Sequence, residues 1–269
     1  MINIFINIIK RIFYPLLGIS IVNNYFNPIK TIIVNYHVLG LRGLLFHPIY
    51  VYNNVKIYNI GNINFSCNLY RGMVKIGRLD VKSKCKTKIF NYGIINIHGP
   101  LYIESGSILE NFGKIDFYGY NHISNNCSLF IRKGLQLGKY TRIGFNTLIM
   151  DSDDHYVLDI NTSIIKNNTK PIILGSYNWI GNYTSIKKGV ITPDYFIVSS
   201  SFCTLVKDYS DLPCYSVVGG SPAKLIKSGI RRVFNPNSER LLREYFHKKT
   251  NHQYKLNPTS QEDIDTFCI

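Results

Sequence analysis

Acidic residues are scarce in this sequence: 16 Asp and Glu stand against 31 Lys and Arg over 269 residues, a formal charge of +15. That balance favours anionic partners such as phosphorylated co-substrates, membrane surfaces, nucleotide-linked or lipid-linked sugars, or nucleic acid. No RNA-binding or DNA-binding motif accompanies the charge, so nucleic acid is set aside as a partner. Metal-binding cysteine spacing is also missing. The six cysteines (67, 85, 127, 203, 214 and 268) form no C-x-x-C pair and no His/Cys cluster, so no metal is expected and the thiols read as incidental in a reduced, cytoplasmic chain. No strongly apolar run reaches eighteen residues. The nearest, 12–29, is interrupted by Pro15, Pro28 and three asparagines, which excludes a transmembrane helix. The apolar start carries Lys10 and Arg11 but no small-residue cleavage site, which argues against a cleaved signal peptide. Apolar residues at 45% and charged residues at 17% exclude wholesale disorder.

What the sequence does have is a beat of six. Ile97, Ile103, Leu109 and Ile115 follow it, as do Ile131, Leu137, Ile143 and Ile149, and then Leu174, Ile180, Ile186, Thr192 and Val198. A helical face repeats at three or four residues and a strand at two, so neither produces this spacing. A triangular coil does. Each side is a short strand and turn with one buried aliphatic side chain, three sides make an eighteen-residue rung, and rungs stack at roughly 4.8 Å. Glycine follows the aliphatic residue in Leu137-Gly138, Ile143-Gly144, Leu174-Gly175 and Ile180-Gly181, as a sharp corner requires. About seven or eight rungs fit between Ile57 and Lys207. The alternative is a β-sandwich with accidental spacing.

The segment from Leu174 to Val190 (Leu-Gly-Ser-Tyr-Asn-Trp-Ile-Gly-Asn-Tyr-Thr-Ser-Ile-Lys-Lys-Gly-Val) and the later Pro213-Cys-Tyr-Ser-Val-Val-Gly-Gly-Ser-Pro-Ala-Lys224 resemble the hexapeptide-repeat acyltransferases. The likeness is strong over 131–227, weaker over 57–130 and absent from the tail. It implies a mainly β fold, a left-handed parallel β-helix; the hand comes from the resemblance and not from the period. Two places depart from the family's pattern: Val198-Ser-Ser-Ser-Phe202 stands for I-G-A-G-S, and Thr192-Pro193 replaces an aliphatic-glycine pair. The implied domains are a cap region, 1–56, the β-helix, 57–227, and a C-terminal helix and tail, 228–269.

Between Ile149 and Leu174 the beat slips, so the coil must push out a loop, 151–171, and such loops carry function. Its root, Asp151-Ser-Asp-Asp-His155, resembles the D-S-D-x-H segment of the sugar O-acetyltransferase branch, whose histidine is the catalytic base. An imidazole titrating near neutrality suits the removal of an alcohol proton. Asp151, Asp153 and Asn146 are candidate acceptor-binding residues. A calcium loop is set aside because the glycine and distal glutamate are missing. The resemblance implies acetyl-CoA as donor, with a groove near Asn182, Ser200 and Ser201, phosphates near Lys207, Lys224 and Lys227, and Trp179 close to the reacting end or simply packed. It also implies a homotrimer in which His155 faces a neighbour's coil.

The leading expectation is therefore an O-acetyltransferase acting on a cell-surface glycan or its precursor. The alternatives are an N-acyltransferase of a nucleotide-linked or lipid-linked amino sugar, and a non-catalytic β-helix scaffold. At the ends, Ile4, Phe5, Ile8, Ile9, Ile12, Phe13, Leu16 and Leu17 trace one helical face within 2–17, either a cap on the first rung or a contact with the inner face of a membrane. The segments 30–36 and 46–52 resemble the leader of capsule and lipopolysaccharide acetyltransferases. A helix capped by Asn237 or Ser238 is expected over Leu241, Leu242, Tyr245 and Phe246, then a loose polar tail from Thr250.

Overall fold

Over most of the chain each strand pairs with the one three before it, as in a coil wound around a core. The computed structural model describes residues 27–78, 85–199, 202–248 and 252–269. One wall runs β1 (Ile49–Val51), β4 (Val74–Arg78), β7 (Leu101–Glu104), β10 (Asn121–Ile123), β13 (Arg142–Ile143), β18 (Trp179–Ile180), β21 (Ile197–Val198) and β23 (Val217–Gly219). The second holds β2 (Val55–Asn59), β5 (Thr87–Asn91), β8 (Ile108–Asn111), β11 (Ser128–Ile131), β14 (Leu148–Met150), β19 (Ser185–Ile186) and β22 (Thr204–Leu205). The third holds β3 (Asn62–Phe65), β6 (Ile94–Ile97), β9 (Lys114–Phe117), β12 (Gly134–Leu137), β17 (Ile172–Leu174) and β20 (Ile191–Thr192). Pairing within each wall is parallel, until β24 (Lys224–Lys227) turns back antiparallel on β23. The fold is mainly β, a parallel β-helix of three walls.

The buried aliphatic residues stack in register. Ile103, Ile123, Ile143, Ile180, Val198 and Val218 form one column, and Leu109, Leu129, Ile149, Ile186 and Leu205 another. All are buried. Rung length departs from expectation. Residues 18 apart face each other only in the later coils, as in Trp179↔Ile197 and Ile173↔Ile191, whereas Leu101↔Asn121 and Ser128↔Leu148 are 20 apart. The reason is strand length: four-residue strands such as β11 turn two side chains inward, and the two-residue strands of the later rungs turn one. The coil also begins at Ile49, upstream of residue 57.

The corners separate two roles that the sequence merged. Gly138 and Gly175 are needed because the next rung comes close: a Cβ on Gly138 would sit 2.4 Å from the Gly175 carbonyl carbon, and one on Gly175 2.5 Å from the Pro193 carbonyl oxygen. Many left-handed backbone positions go instead to larger residues, among them Tyr120, Tyr140, Tyr177, Tyr195 and Tyr215, with φ between 55° and 68°.

The first rung is closed by α1 (Pro28–Leu39), followed by α2 (Leu41–Phe46). Asn35 acts as a surrogate strand: its Oδ1 accepts the Ile49 N–H at 3.0 Å and its Nδ2 donates to the Ile49 carbonyl at 2.7 Å. The Thr31 hydroxyl accepts the Val51 N–H at 3.0 Å. The cap or membrane contact expected of 2–17 lies outside the described residues; the edge of β1 is satisfied by α1. At the other end α3 (Pro236–Lys248) is capped by Asn235, whose Oδ1 accepts the N–H groups of Asn237 and Ser238, so the cap lies upstream of both residues expected to provide it. The tail is not loose. α4 (Gln261–Cys268) starts at a capping box between Ser260 and Asp263 and docks through an Arg231–Asp265 ion pair, while the Cys268 carbonyl accepts the Phe234 N–H at 2.6 Å. Among the described residues no helix is long and apolar enough to cross a membrane.

Candidate active site

The loop leaves the second wall after Met150 and re-enters the third at Ile172. Its two legs are tied at the base. Ser152 bridges Thr169, the Asp153 N–H donates to the Asn168 carbonyl at 3.0 Å, and the Lys170 N–H to the Asp151 carbonyl at 3.0 Å. Farther out, β15 (Leu158–Asp159) and β16 (Ile164–Ile165) form an antiparallel hairpin. This arm exposes Tyr156, Val157, Leu158, Ile160, Ile164 and Ile165.

His155 lies at the foot of the arm, exposed, in a cleft of about 220 Å³ shared with Asp153, Val157, Ile164, Asn168 and Lys188. The run before it is fixed residue by residue. Asp154 takes a left-handed backbone, φ 59°, its N–H donates to the Ser152 hydroxyl at 2.9 Å, and its carboxylate lies 3.6 Å from the Arg132 guanidinium. Arg132 is itself held by Glu110 at 2.9 Å and by the Phe112 ring. Asp153 forms an ion pair with Lys188.

Lys188 was not found from the sequence, although the register contains it. Ile149 faces Ile186, so two residues on from each, Asp151 and Lys188 occupy adjoining corners. The Gly189 N–H then donates to the Lys170 carbonyl at 3.1 Å, joining that corner to the loop's exit.

The other expected residues divide clearly. Asp151 is fully buried and its carboxylate accepts three backbone N–H groups, from Arg132 at 2.7 Å, Lys133 at 2.8 Å and Gly134 at 2.6 Å. With both oxygens occupied inside the wall, it is a structural residue and does not reach an acceptor. Asn146 is a half-buried corner residue, φ 57°, whose N–H donates to the Asn125 carbonyl at 3.0 Å, and it does not line the cleft. Asn182 is likewise a corner cap, its Oδ1 accepting the Phe145 N–H at 3.1 Å. Trp179 has one ring face under the Arg232 guanidinium, 4.7 Å away, which favours packing over contact with a donor. Burial holds the pKa of that guanidinium below its ordinary value. Ser200 and Ser201 lie outside the described residues.

Lys207, Lys224 and Lys227 are exposed near the closing strand. Their segments adjoin: the Ala223 N–H donates to the Thr204 carbonyl at 2.8 Å, and the Tyr209 hydroxyl to the Ala223 carbonyl at 3.3 Å. Three solvated ammonium groups on neighbouring segments fit the phosphates of a coenzyme A thioester. Among the described residues no group of three or more His, Cys, Asp or Glu side chains converges as a bound metal requires.

No family model matches the chain. A 112-residue stretch is 30% identical to the polysialic acid O-acetyltransferase of Escherichia coli O1:K1 / APEC, covering 42% of this chain and 33% of that protein. The chain thus spans about a third of the length of the curated relative it matches. Among solved structures, the polySia-specific acetyltransferase NeuO is similar at 19% identity and TM-score 0.45, over 76% of this chain and 89% of that one. A mutant of AntD, an N-acyltransferase from Bacillus cereus in complex with dTDP and coenzyme A, is similar at 17% identity and TM-score 0.48, over 84% and 100%.

Proposed function

We propose that this chain is an acyl-CoA-dependent O-acetyltransferase that moves an acetyl group from acetyl-CoA to a hydroxyl of a cell-surface glycan or its precursor. The observation that carries the reading is the placement of His155: an exposed imidazole at the foot of a loop whose base is locked to the coil, in a cleft with an ion-paired lysine beside it. Its neighbourhood resembles the D-S-D-x-H segment of sugar O-acetyltransferases, and the 30% identity to a polysialic acid O-acetyltransferase favours a hydroxyl acceptor over an amine.

In this reading the acceptor hydroxyl donates its proton to His155 as its oxygen attacks the thioester carbonyl. The carbon–oxygen bond forms, the carbon–sulfur bond breaks, and the imidazolium returns the proton to the departing thiolate. No acyl-enzyme is needed. Lys188 and Asp153 hold the histidine's segment, and Lys207, Lys224 and Lys227 receive the donor's phosphates. The exposed apolar arm beyond His155 is the natural contact for a neighbouring copy in a homotrimer, which would complete the cleft. The cytoplasm, where acetyl-CoA is found, is the corresponding compartment.

The test is transfer from acetyl-CoA to a panel of surface glycans and their precursors, read as a mass gain, in the parent and in His155→Ala. The variant should lose a factor of about 10² to 10⁴ in kcat at unchanged thermal stability. Retention of full transfer would remove His155 as base, and absence of any transfer by the parent would favour a scaffold.

A further inference from the structure

The inner side of α1 closes the β1 edge through Thr31, Val34 and Asn35, all buried, and nothing in that task requires an apolar outer side. Yet Ile29, Ile32, Ile33 and Tyr36 form an exposed stripe at the i, i+3, i+4, i+7 spacing of one helical face. Leu41 and Leu45 of α2 extend it, and Ile29, Leu41 and Leu45 are 69%, 74% and 69% exposed. Exposed clusters of this kind mark a surface that meets something apolar.

Charge says what. The first 79 residues hold eight Lys or Arg and no Asp or Glu; Asp80 is the first carboxylate of the chain. Arg42, Lys56 and Arg71 are exposed at this end of the prism. A second copy brought against the face would set cation against cation, with no carboxylate from this stretch to pair them. A bilayer bearing anionic headgroups supplies both missing halves, an apolar layer for the stripe and negative charge for the cations. We propose that the outer face of α1 and α2 docks on the surface of an anionic lipid membrane. The inference does not depend on the acyltransferase reading, because it uses none of the cleft residues.

The experiment is co-sedimentation of the full chain with phosphatidylcholine vesicles and with vesicles in which about a third of the lipid is phosphatidylglycerol. At about 0.1 M salt the anionic vesicles should bind at least tenfold more protein, falling severalfold at about 0.5 M as screening shortens the field. The double variant Ile33→Asp/Leu45→Asp should lose at least tenfold with an unchanged circular dichroism spectrum, while Leu241→Asp on α3 should bind like the parent. Three results would overturn the proposal. The parent could ignore both vesicle types. The double variant could bind undiminished, which would place the contact elsewhere, for instance in residues 2–17. Or the double variant could dissociate a self-associated parent in the absence of lipid, making this face an interface between copies.

Discussion

Asp151 and Gly134 meet between adjoining rungs, the carboxylate Oδ2 accepting the glycine N–H at 2.6 Å. With the further bonds from Arg132 and Lys133, one buried side chain satisfies three backbone donors at the point where the loop departs. Asp151→Ala takes the acceptor away from all three part-buried donors at once. We expect a loss of about 3 kcal/mol in urea denaturation. Asp151→Asn should lose nearly as much, since its NH₂ would face an N–H. His155→Ala should stay within about 0.5 kcal/mol of the parent. If Asp151→Ala were equally stable, the wall-bracing role assigned to it would be wrong.

Lys188 and Asp153 should behave as a unit. Their ion pair is partly exposed, so neither residue contributes much to folding, but together they fix the backbone that presents His155. Lys188→Met is expected to reduce kcat/KM about tenfold, about 1.4 kcal/mol, with partial recovery in Lys188→Arg. Asp153→Asn should give a similar loss, and the double variant little more than either single change. Strictly additive losses would mean that the two act separately.

How much of this was legible in the sequence depends on whether the signal was periodic. Ile103, Leu109 and Ile115 report the coil because each occupies one wall of the same rung, and their spacing survives in the structure. Rung length was misjudged because strands four residues long insert a second inward residue, such as Asn111 after Leu109, which a count of aliphatic side chains overlooks. The loop was visible as a slip in the beat, and the motif at its root places His155 at the foot of the arm, where the cleft lies. Lys188 was hidden because it reaches the cleft across 37 residues of register, from Asp151 to its own corner, through pairing that only the stacked coil reveals. Ser260-Gln-Glu-Asp263 was a readable capping box, but it stands within a polar stretch whose docking depends on Arg231 far upstream.

The tyrosine corners predict an inverted substitution order. Tyr177 stacks between Tyr140 and Tyr195 with ring centroids 5.0 and 4.8 Å away, and it holds a left-handed backbone at φ 57°. Each stacking pair contributes roughly 0.5–1.5 kcal/mol, set against roughly 1–2 kcal/mol for a side chain in that conformation. Tyr177→Ala loses the stacks and keeps the strain, whereas Tyr177→Gly loses the stacks and relieves it. The glycine variant should therefore melt higher than the alanine variant, by about 1 kcal/mol at the midpoint. Alanine at or above glycine would show that the corner is not strained.

Acid should release the C-terminal helix. The Arg231 guanidinium beside Asp265 holds its carboxyl below the usual carboxylate range, and hydrogen bonds from Thr259 and Ser260 do the same for Asp263. A carboxyl whose pKa is depressed in the docked state favours docking above its free value, near 4, and loses that contribution as pH falls through the depressed one. α4 should thus be docked at neutral pH and come away below about pH 4, seen as a loss of far-ultraviolet helix signal before the coil itself melts. Asp265→Asn removes one of the two groups and leaves the mostly buried Arg231 without its partner. Cys268, the last residue of α4 and buried, with its thiol pushed up chiefly by burial, provides the readout. Its labelling by a maleimide at pH 7 should be at least tenfold faster in Asp265→Asn than in the parent, while the exposed Cys214 reacts alike in both. Equal Cys268 rates would show that the ion pair does not hold the helix down.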